Sequence, residues 1–125
     1  MAIYTNLPLY KSSYNLLTEL NNMMRSLPRD ERYTTGQDLK RMVRHIIVLI
    51  YRANRTRQKV RIIGDMRETL LEVDLMLRVL CDLKHISQGC YVHLSEQTTS
   101  MSKQMAAWEK SERAKADGAG NDSEE

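Results

Sequence analysis

Two thiols and two imidazoles lie within thirteen residues of one another, in the segment CDLKHISQGCYVH. They belong to Cys81, His85, Cys90 and His93. Thiolate and imidazole are ligands that zinc prefers, but a zinc site also needs them to converge as a tetrahedron. The spacing here matches none of the common zinc patterns. It predicts cysteines that pack as small hydrophobic residues and histidines without a metal, so we expect no cofactor.

Residues typical of catalysis are not grouped in this sequence. It contains no phosphate-cradling glycine loop, no nucleophile elbow and no H-E-x-x-H motif. Its acids occur singly among basic residues, which is typical of the solvated surface of a helical bundle. We therefore expect a non-enzyme with no catalytic residues.

The segment LIYRANRTRQKVR, from Leu49 to Arg61, holds the strongest charge pattern. Five basic residues and no acid occupy its last ten positions. Between Lys40 and Arg67 there are nine basic residues and one acid, although the whole chain carries a formal charge of only +3. A local excess of this size indicates an anionic partner, whereas a solvated helix end is the simpler interpretation.

Helical signals run through most of the 125 residues, with only two prolines and five glycines. The sequence predicts one all-α domain, residues 1–116, as an antiparallel up-down-up-down four-helix bundle. Residues 117–125 have the composition of a disordered acidic tail. The expected helices are Leu9–Leu27, a second from a Thr34 or Thr35 cap to Thr56, Gln58–Lys84, and a fourth from a Ser87 cap to about Lys110–Lys115.

The second helix, projected at about 100° per residue, separates into two faces. The apolar face contains Leu39, Val43, Ile46, Ile47, Ile50 and Ala53. The opposite face contains Arg41, Arg44, Arg52 and Arg55, with His45 beside it. Because arginine forms bidentate contacts with phosphate, we predict that these arginines and the following Arg57, Lys59 and Arg61 contact a nucleic-acid backbone.

The third helix has two apolar faces. Its core face is predicted to contain Ile62, Met66, Leu70, Val73, Leu77 and Leu80. The opposite face carries Leu71, Leu75 and Val79 at i, i+4 and i+8. Either this helix is more enclosed than its neighbours or the second face is a subunit interface. We favour the interface, because large exposed apolar patches are uncommon on soluble monomers.

The outer helices are expected to contribute ordinary core residues. In the first, we predict that Tyr14, Leu17, Leu20, Met24 and Leu27 face the core. In the fourth, the corresponding residues are Tyr91, Leu94, Thr98, Met101 and Met105. The sequence contains no recognisable signal peptide and no apolar run long enough to cross a bilayer, so we expect a cytoplasmic protein without a membrane partner.

Five short motifs occur in a characteristic order. They are LPLYKSSYNLL at Leu7–Leu17, YTTGQDLK at Tyr33–Lys40, LIYRAN at Leu49–Asn54, LRVLCDLKHIS at Leu77–Ser87 and SKQMAAW at Ser102–Trp108. Together they resemble the four-helix-bundle family that includes the accessory variability determinant of diversity-generating retroelements. Proteins encoded in intervening sequences of bacterial large-subunit ribosomal RNA genes share this fold. The resemblance covers about residues 7 to 110.

The resemblance implies a basic, non-catalytic bundle that assembles as a pentameric barrel. It also implies binding to a reverse transcriptase and to RNA or DNA during the error-prone copying of a template repeat. The alternative is a relative of the ribosomal-RNA intervening-sequence proteins, with a structural or protein-interaction role. A third interpretation is a bundle whose arginines meet an acidic protein surface.

Overall fold

The computed structural model describes the backbone of residues 7–124 and the side chains of residues 7–118. Within that part of the chain, regular structure is entirely helical. It comprises four long helices, and a short helix and a π-helical turn connect the first of them to the second. The elements are α1 (Leu7–Met24), α2 (Arg29–Glu31), the π-turn (Arg32–Gly36), α3 (Gln37–Ala53), α4 (Lys59–Asp82) and α5 (Gln88–Glu124).

The four long helices surround one core. Helix α1 packs against α3 and α5, and α4 packs against the same two helices. This arrangement confirms the predicted all-helical four-helix architecture. Among the described residues, no helix is both long and apolar enough to cross a bilayer.

The buried face of helix α1 is shifted from the predicted one, although Leu20, Met24 and Leu27 are buried as expected. Tyr14 is 53% exposed, and Leu17 is only partly buried. The buried side chains of this segment are Leu9, Ser13, Leu16, Leu20, Met23, Met24 and Leu27. Ser13 can lie in the core because its hydroxyl donates to the Leu9 carbonyl at 2.8 Å. A small residue also lets a neighbouring helix approach closely, whereas a buried tyrosine hydroxyl would need a partner of its own.

The segment before α3 does not contain the predicted threonine cap. Helix α2 and the π-turn lead directly into α3, so the amides at its start already have helical partners. Instead of capping α3, the Thr34 hydroxyl donates to the Asp30 carbonyl at 2.8 Å, and the Thr35 hydroxyl donates to Glu31 Oε2 at 2.6 Å. The predicted threonine cap is therefore wrong.

Gly36 marks a close approach between this turn and α1. A Cβ atom at this buried position would lie 2.9 Å from Met24 Cε and 3.2 Å from Met24 Cγ. Any larger residue would therefore have to displace the buried Met24 side chain. The glycine permits the π-turn to pack directly on the end of α1.

Helices α3 and α4 bury the faces that their periodicity predicted. All the expected residues of α3 are buried except Ile47, which is partly buried, and Leu49 joins them at 4% exposure. In α4, Ile62 is partly buried and the neighbouring Ile63 is fully buried. The other predicted residues of α4 lie in the core. A seam at helical spacing is broad enough to include such neighbours.

Helix α5 begins where predicted, since the Ser87 hydroxyl accepts a hydrogen bond from the Cys90 amide at 3.0 Å. Leu94, Thr98, Met101 and Met105 are buried as expected, Tyr91 is partly buried, and Trp108 extends the core. The helix continues to Glu124 instead of fading near Lys110–Lys115. It thus includes most of the segment predicted to be disordered, and disorder of that tail in solution stays a prediction.

The turn between α4 and α5 has the hydrogen bonds of a Schellman motif. The His85 amide donates to the Leu80 carbonyl and the Lys84 amide to the Cys81 carbonyl, both at 2.9 Å. This motif requires a left-handed residue at Lys84, whose φ is +63°. Glycine usually occupies such a position, because a Cβ atom there is sterically unfavourable.

We expect Lys84→Gly to raise the free energy of unfolding by roughly 0.5–1 kcal/mol, because relief of left-handed strain outweighs the added freedom of the unfolded chain. Thermal and urea unfolding at one protein concentration would measure the change. Lys84→Ala removes the same charge and keeps the Cβ atom, so it should not stabilise the protein. Equal effects of the two substitutions would contradict this explanation.

Candidate nucleic-acid interface and exposed apolar face

The outer side of α3 carries the predicted arginines. Because Val43, Ile46 and Ile50 turn one side of this amphipathic helix into the core, Arg41, Arg44, Arg52 and Arg55 are all exposed on the other side. His45 is also exposed, as its position beside the arginines predicted. The four guanidinium groups therefore lie along one helix surface.

Two apolar side chains lie between these arginines. Val48 is 46% exposed and Tyr51 is 44% exposed. The Cζ atom of Arg55 lies 5.2 Å from the centre of the Tyr51 ring, and its Nη1 donates to the Tyr51 hydroxyl at 2.5 Å. Sequence reasoning missed both residues, although Arg44, Val48, Tyr51 and Arg55 follow i, i+4, i+7 and i+11 spacing. We call the six residues the α3 face: Arg41, Arg44, Val48, Tyr51, Arg52 and Arg55.

The charges of these arginines are mostly not neutralised within the chain. Arg41 forms an ion pair with Asp38 at 2.7 Å, but both groups are well exposed, so water screens the pair. Among the described residues, no ion pair involves Arg44, Arg52 or Arg55. The α3 face consequently presents a strongly positive surface with an apolar centre.

The turn after α3 continues this positive surface at one end of the bundle. Arg57 and Arg61 are exposed, and neither belongs to an ion pair within the described part of the chain. Residues 56–61 share a shallow concavity with Glu112, Lys115 and Ala116 of α5. Because Lys115 pairs with Glu112 at 3.3 Å, Arg57 and Arg61 are the dominant charges of this concavity.

Lys59 differs from the other predicted nucleic-acid ligands. Its ammonium group donates to the Ala53 carbonyl at 2.6 Å and to the Thr56 carbonyl at 2.9 Å. These bonds stabilise one carbonyl group at the C-terminal end of α3, where a positive charge is favourable, and one in the turn that follows. The structure thus gives Lys59 an internal role that the sequence did not predict.

The outer side of α4 carries a row of apolar residues in its C-terminal half. Leu71 is 72% exposed, Leu75 is 58% exposed and Val79 is 43% exposed. Leu83, at the next i+4 position, is 56% exposed and extends the row. The neighbouring helices of the same chain therefore do not cover this side, which excludes the interpretation that α4 is simply more enclosed.

Acidic side chains flank this apolar row. Asp65, Glu68 and Glu72 lie on the outer side of α4, together with the basic Arg78. None of these four residues forms an ion pair within residues 7–118. We call this surface the α4 face: Asp65, Glu68, Leu71, Glu72, Leu75, Arg78 and Val79.

The cysteines and histidines near the second turn are separated by other contacts. Cys81 and Cys90 are partly buried against the core. His93 Nε2 lies 3.0 Å from Glu19 Oε2, and His85 Nε2 lies 3.9 Å from Glu31 Oε1. Within the described residues, no three side chains of His, Cys, Asp or Glu are placed to hold a metal ion.

Cys90 is held as a neutral thiol. Burial raises the pKa of Cys90, and the nearby Cys81 thiol and the Glu19 carboxylate raise it further. Since the thiolate is both the nucleophile and the metal ligand, a raised pKa makes Cys90 less reactive than a free cysteine at neutral pH. This environment is typical of a packing residue.

Polar residues between helices form contacts that the sequence did not reveal. Gln97 Nε2 donates to Glu19 Oε2 beside the Glu19–His93 pair, which joins α1 to α5. The buried Thr98 hydroxyl lies 3.1 Å from Asp74 Oδ1, between α5 and α4. Arg67 pairs with Glu109 at 2.8 Å between the same two helices. These contacts fix the register of α5 against its neighbours.

No protein-family model matches the chain, and no curated protein is significantly similar to it. The α3 face, the α4 face and the motif resemblance are therefore the basis on which a function can be proposed.

Proposed function

We propose that this protein is a non-catalytic accessory subunit of a diversity-generating retroelement, which binds nucleic acid and the element's reverse transcriptase to support mutagenic cDNA synthesis. The observation that carries the proposal is the row of exposed arginines on the α3 face and its extension by Arg57 and Arg61. The ordered motifs of the resemblance supply the retroelement context.

The exposed arginines favour contact with a phosphate backbone. Guanidinium groups bind phosphate oxygens without reading the bases, so affinity should depend strongly on salt and weakly on sequence. Because the α3 face is mostly free of acidic neighbours, an incoming phosphate would meet little repulsion. The proposed ligand is accordingly RNA, DNA or their hybrid, bound through its backbone.

The proposed active form is a homo-oligomer, a pentamer by the resemblance, of up-down-up-down bundles. Connections of five residues, Asn54–Gln58 and Leu83–Ser87, favour antiparallel neighbours among packed helices. The exposed apolar row of α4 favours burial between copies. Repetition of the arginines around an oligomer would combine modest contacts into a higher affinity.

The test is the double substitution Arg52→Glu and Arg55→Glu, with binding to RNA, DNA and hybrid measured across a salt series. Affinity should fall by at least about tenfold, and the salt slope should decrease by about one for each phosphate that an engaged subunit no longer binds. The decrease should be similar for unrelated sequences, since backbone contacts carry no sequence information.

Arg25→Glu with Arg29→Glu is the matched control, because it makes the same charge change at exposed positions in the connection between α1 and α3. The control should retain most of the affinity. If the Arg52 and Arg55 variant binds as tightly as the parent with the same salt slope, the proposal is wrong. A reverse-transcriptase gene and paired repeats beside the gene would distinguish the retroelement from a ribosomal-RNA intervening sequence.

A further inference from the structure

Each chain exposes two surfaces whose properties are opposite. The α3 face has Val48 and Tyr51 at its centre and four arginines around them. The α4 face has an apolar centre of leucine and valine, with three acids and one arginine around it. Helices α3 and α4 pack against each other, so each chain presents both surfaces on adjacent corners of its bundle.

We propose that the α4 face of one copy docks on the α3 face of a second copy. This inference rests on the oligomer of the proposed function and names its two contact surfaces. Such an interface would bring acidic residues onto arginines. It would also cover Val48 of one copy and Leu71 of the other, with Leu75 opposite the start of α3. Complementary charge gives an interface its specificity, and apolar burial gives it much of its stability.

The positions of the charges match along the helix axis. Arg44 lies nine residues before the end of α3, and Glu68 lies nine residues after the start of α4. Arg41 lies twelve residues before the end of α3, and Glu72 lies thirteen residues after the start of α4. A helix rises about 1.5 Å per residue. If α3 and α4 run antiparallel, Arg44 and Glu68 therefore lie at nearly the same distance from the turn between them, and so do Arg41 and Glu72. Rotation about an axis parallel to the bundle preserves these distances between copies.

The contact therefore joins Arg44 of one copy to Glu68 of the next, and Arg41 to Glu72. Since the two surfaces differ, the interface is heterologous and closes into a ring when the rotation permits. A parallel pairing of two α4 faces would place like acids opposite one another, which is unfavourable. An antiparallel pairing of two α4 faces would not involve Arg41 and Arg44, so assembly of a chain with these two arginines reversed would reveal it. Arg41 and Arg44 then serve the subunit contact instead of the nucleic-acid backbone. Arg52 and Arg55 lie near the turn, beyond the level of the α4 acids, and stay available for nucleic acid with Arg57 and Arg61.

Two charge-reversed chains test the pairing. The first carries Arg41→Glu and Arg44→Glu, and the second carries Glu68→Lys and Glu72→Lys. All four side chains are exposed or partly exposed, so circular dichroism should show unchanged helix content. Each chain alone should be monomeric in sedimentation velocity at micromolar concentration, with its association weakened by at least about a hundredfold. A milder chain with Glu68→Gln and Glu72→Gln should weaken association by about tenfold.

A mixture of the two reversed chains provides the deciding measurement. The acidic α3 face of the first would meet the basic α4 face of the second, and the unchanged faces of the two chains would also be complementary. The mixture should therefore associate although neither component does, and it should form open or even-numbered assemblies because strict alternation cannot close a ring of five. The Arg52→Glu and Arg55→Glu chain should assemble like the parent.

Assembly of either reversed chain alone at the parent's strength would overturn the pairing, as would a mixture that remains monomeric. A monomeric parent would overturn it too. These results leave the proposed function separately testable, because salt-dependent nucleic-acid binding by the parent is measured independently of assembly. Absence of that binding with assembly intact would overturn the proposed function alone.

Discussion

Leu75→Arg should convert the proposed oligomer into monomers that keep their helix content. Leu75 is 58% exposed in the single chain, so an arginine there meets water and leaves the core unchanged. In the interface the same arginine would be buried where an apolar side chain is expected, on a surface that docks against the arginines of the α3 face. Such a burial costs several kcal/mol and is enough to dissociate a micromolar assembly. Sedimentation velocity and circular dichroism of the variant would measure both results.

Val92→Arg is the matched control for this prediction. Val92 is 47% exposed on α5, outside the α3 and α4 faces, and receives the same substitution. It should leave assembly unchanged. Dissociation by Leu75→Arg should also lower nucleic-acid affinity by about 10²–10⁴-fold because avidity disappears, although Leu75 contacts no phosphate. A monomeric parent, or a Leu75→Arg variant that still assembles, would contradict this prediction.

The buried face of a helix could be predicted where its apolar periodicity has one solution. In α3, the arginines oppose an unbroken apolar face, so the register has little ambiguity. In α1, two candidate faces share Leu20 and Met24, and single-sequence periodicity could not choose between Tyr14 and Ser13. That choice depends on the close packing permitted by Ser13, which is a property of the assembled bundle.

The sequence predicted which arginines of the candidate site are exposed. It did not predict which apolar side chains lie among them. The exposure of Arg41, Arg44, Arg52 and Arg55 follows from helical projection alone. Val48 and Tyr51 belong in sequence to the apolar run that precedes the basic segment, although their helical angle places them among the arginines. Lys59 could not be assigned to the α3 carbonyls without the geometry of the turn.

Contacts between distant parts of the chain were the least predictable. Glu19 and His93 are far apart in sequence and meet only because α1 packs beside α5. Helical spacing would instead have paired His93 with Gln97 of its own helix, whose Nε2 lies 3.4 Å from His93 Nε2. The contacts of Arg32 could not be predicted either, because they form only where the chain turns back over the end of α1.

Arg32 is expected to be the most important polar residue for the stability of that turn. Its Nε donates to the Met24 carbonyl at 3.2 Å, and its Nη2 donates to the Arg25 and Leu27 carbonyls at 3.2 and 3.3 Å. These carbonyls lie at the C-terminal end of α1 and just beyond it, where helical partners run out. One planar guanidinium thus satisfies three acceptors, which a lysine ammonium on a flexible stem cannot reproduce.

Arg32→Met keeps much of the aliphatic stem and removes all three hydrogen bonds. The free energy of unfolding should fall by about 2 kcal/mol, toward the lower end for bonds to a charged group because the side chain is partly exposed. Urea unfolding at one protein concentration would measure the change. Arg29→Met, at an exposed position of α2, should change stability by less than about 0.5 kcal/mol. If Arg32→Lys restores full stability, charge alone explains the effect and the three-carbonyl geometry does not.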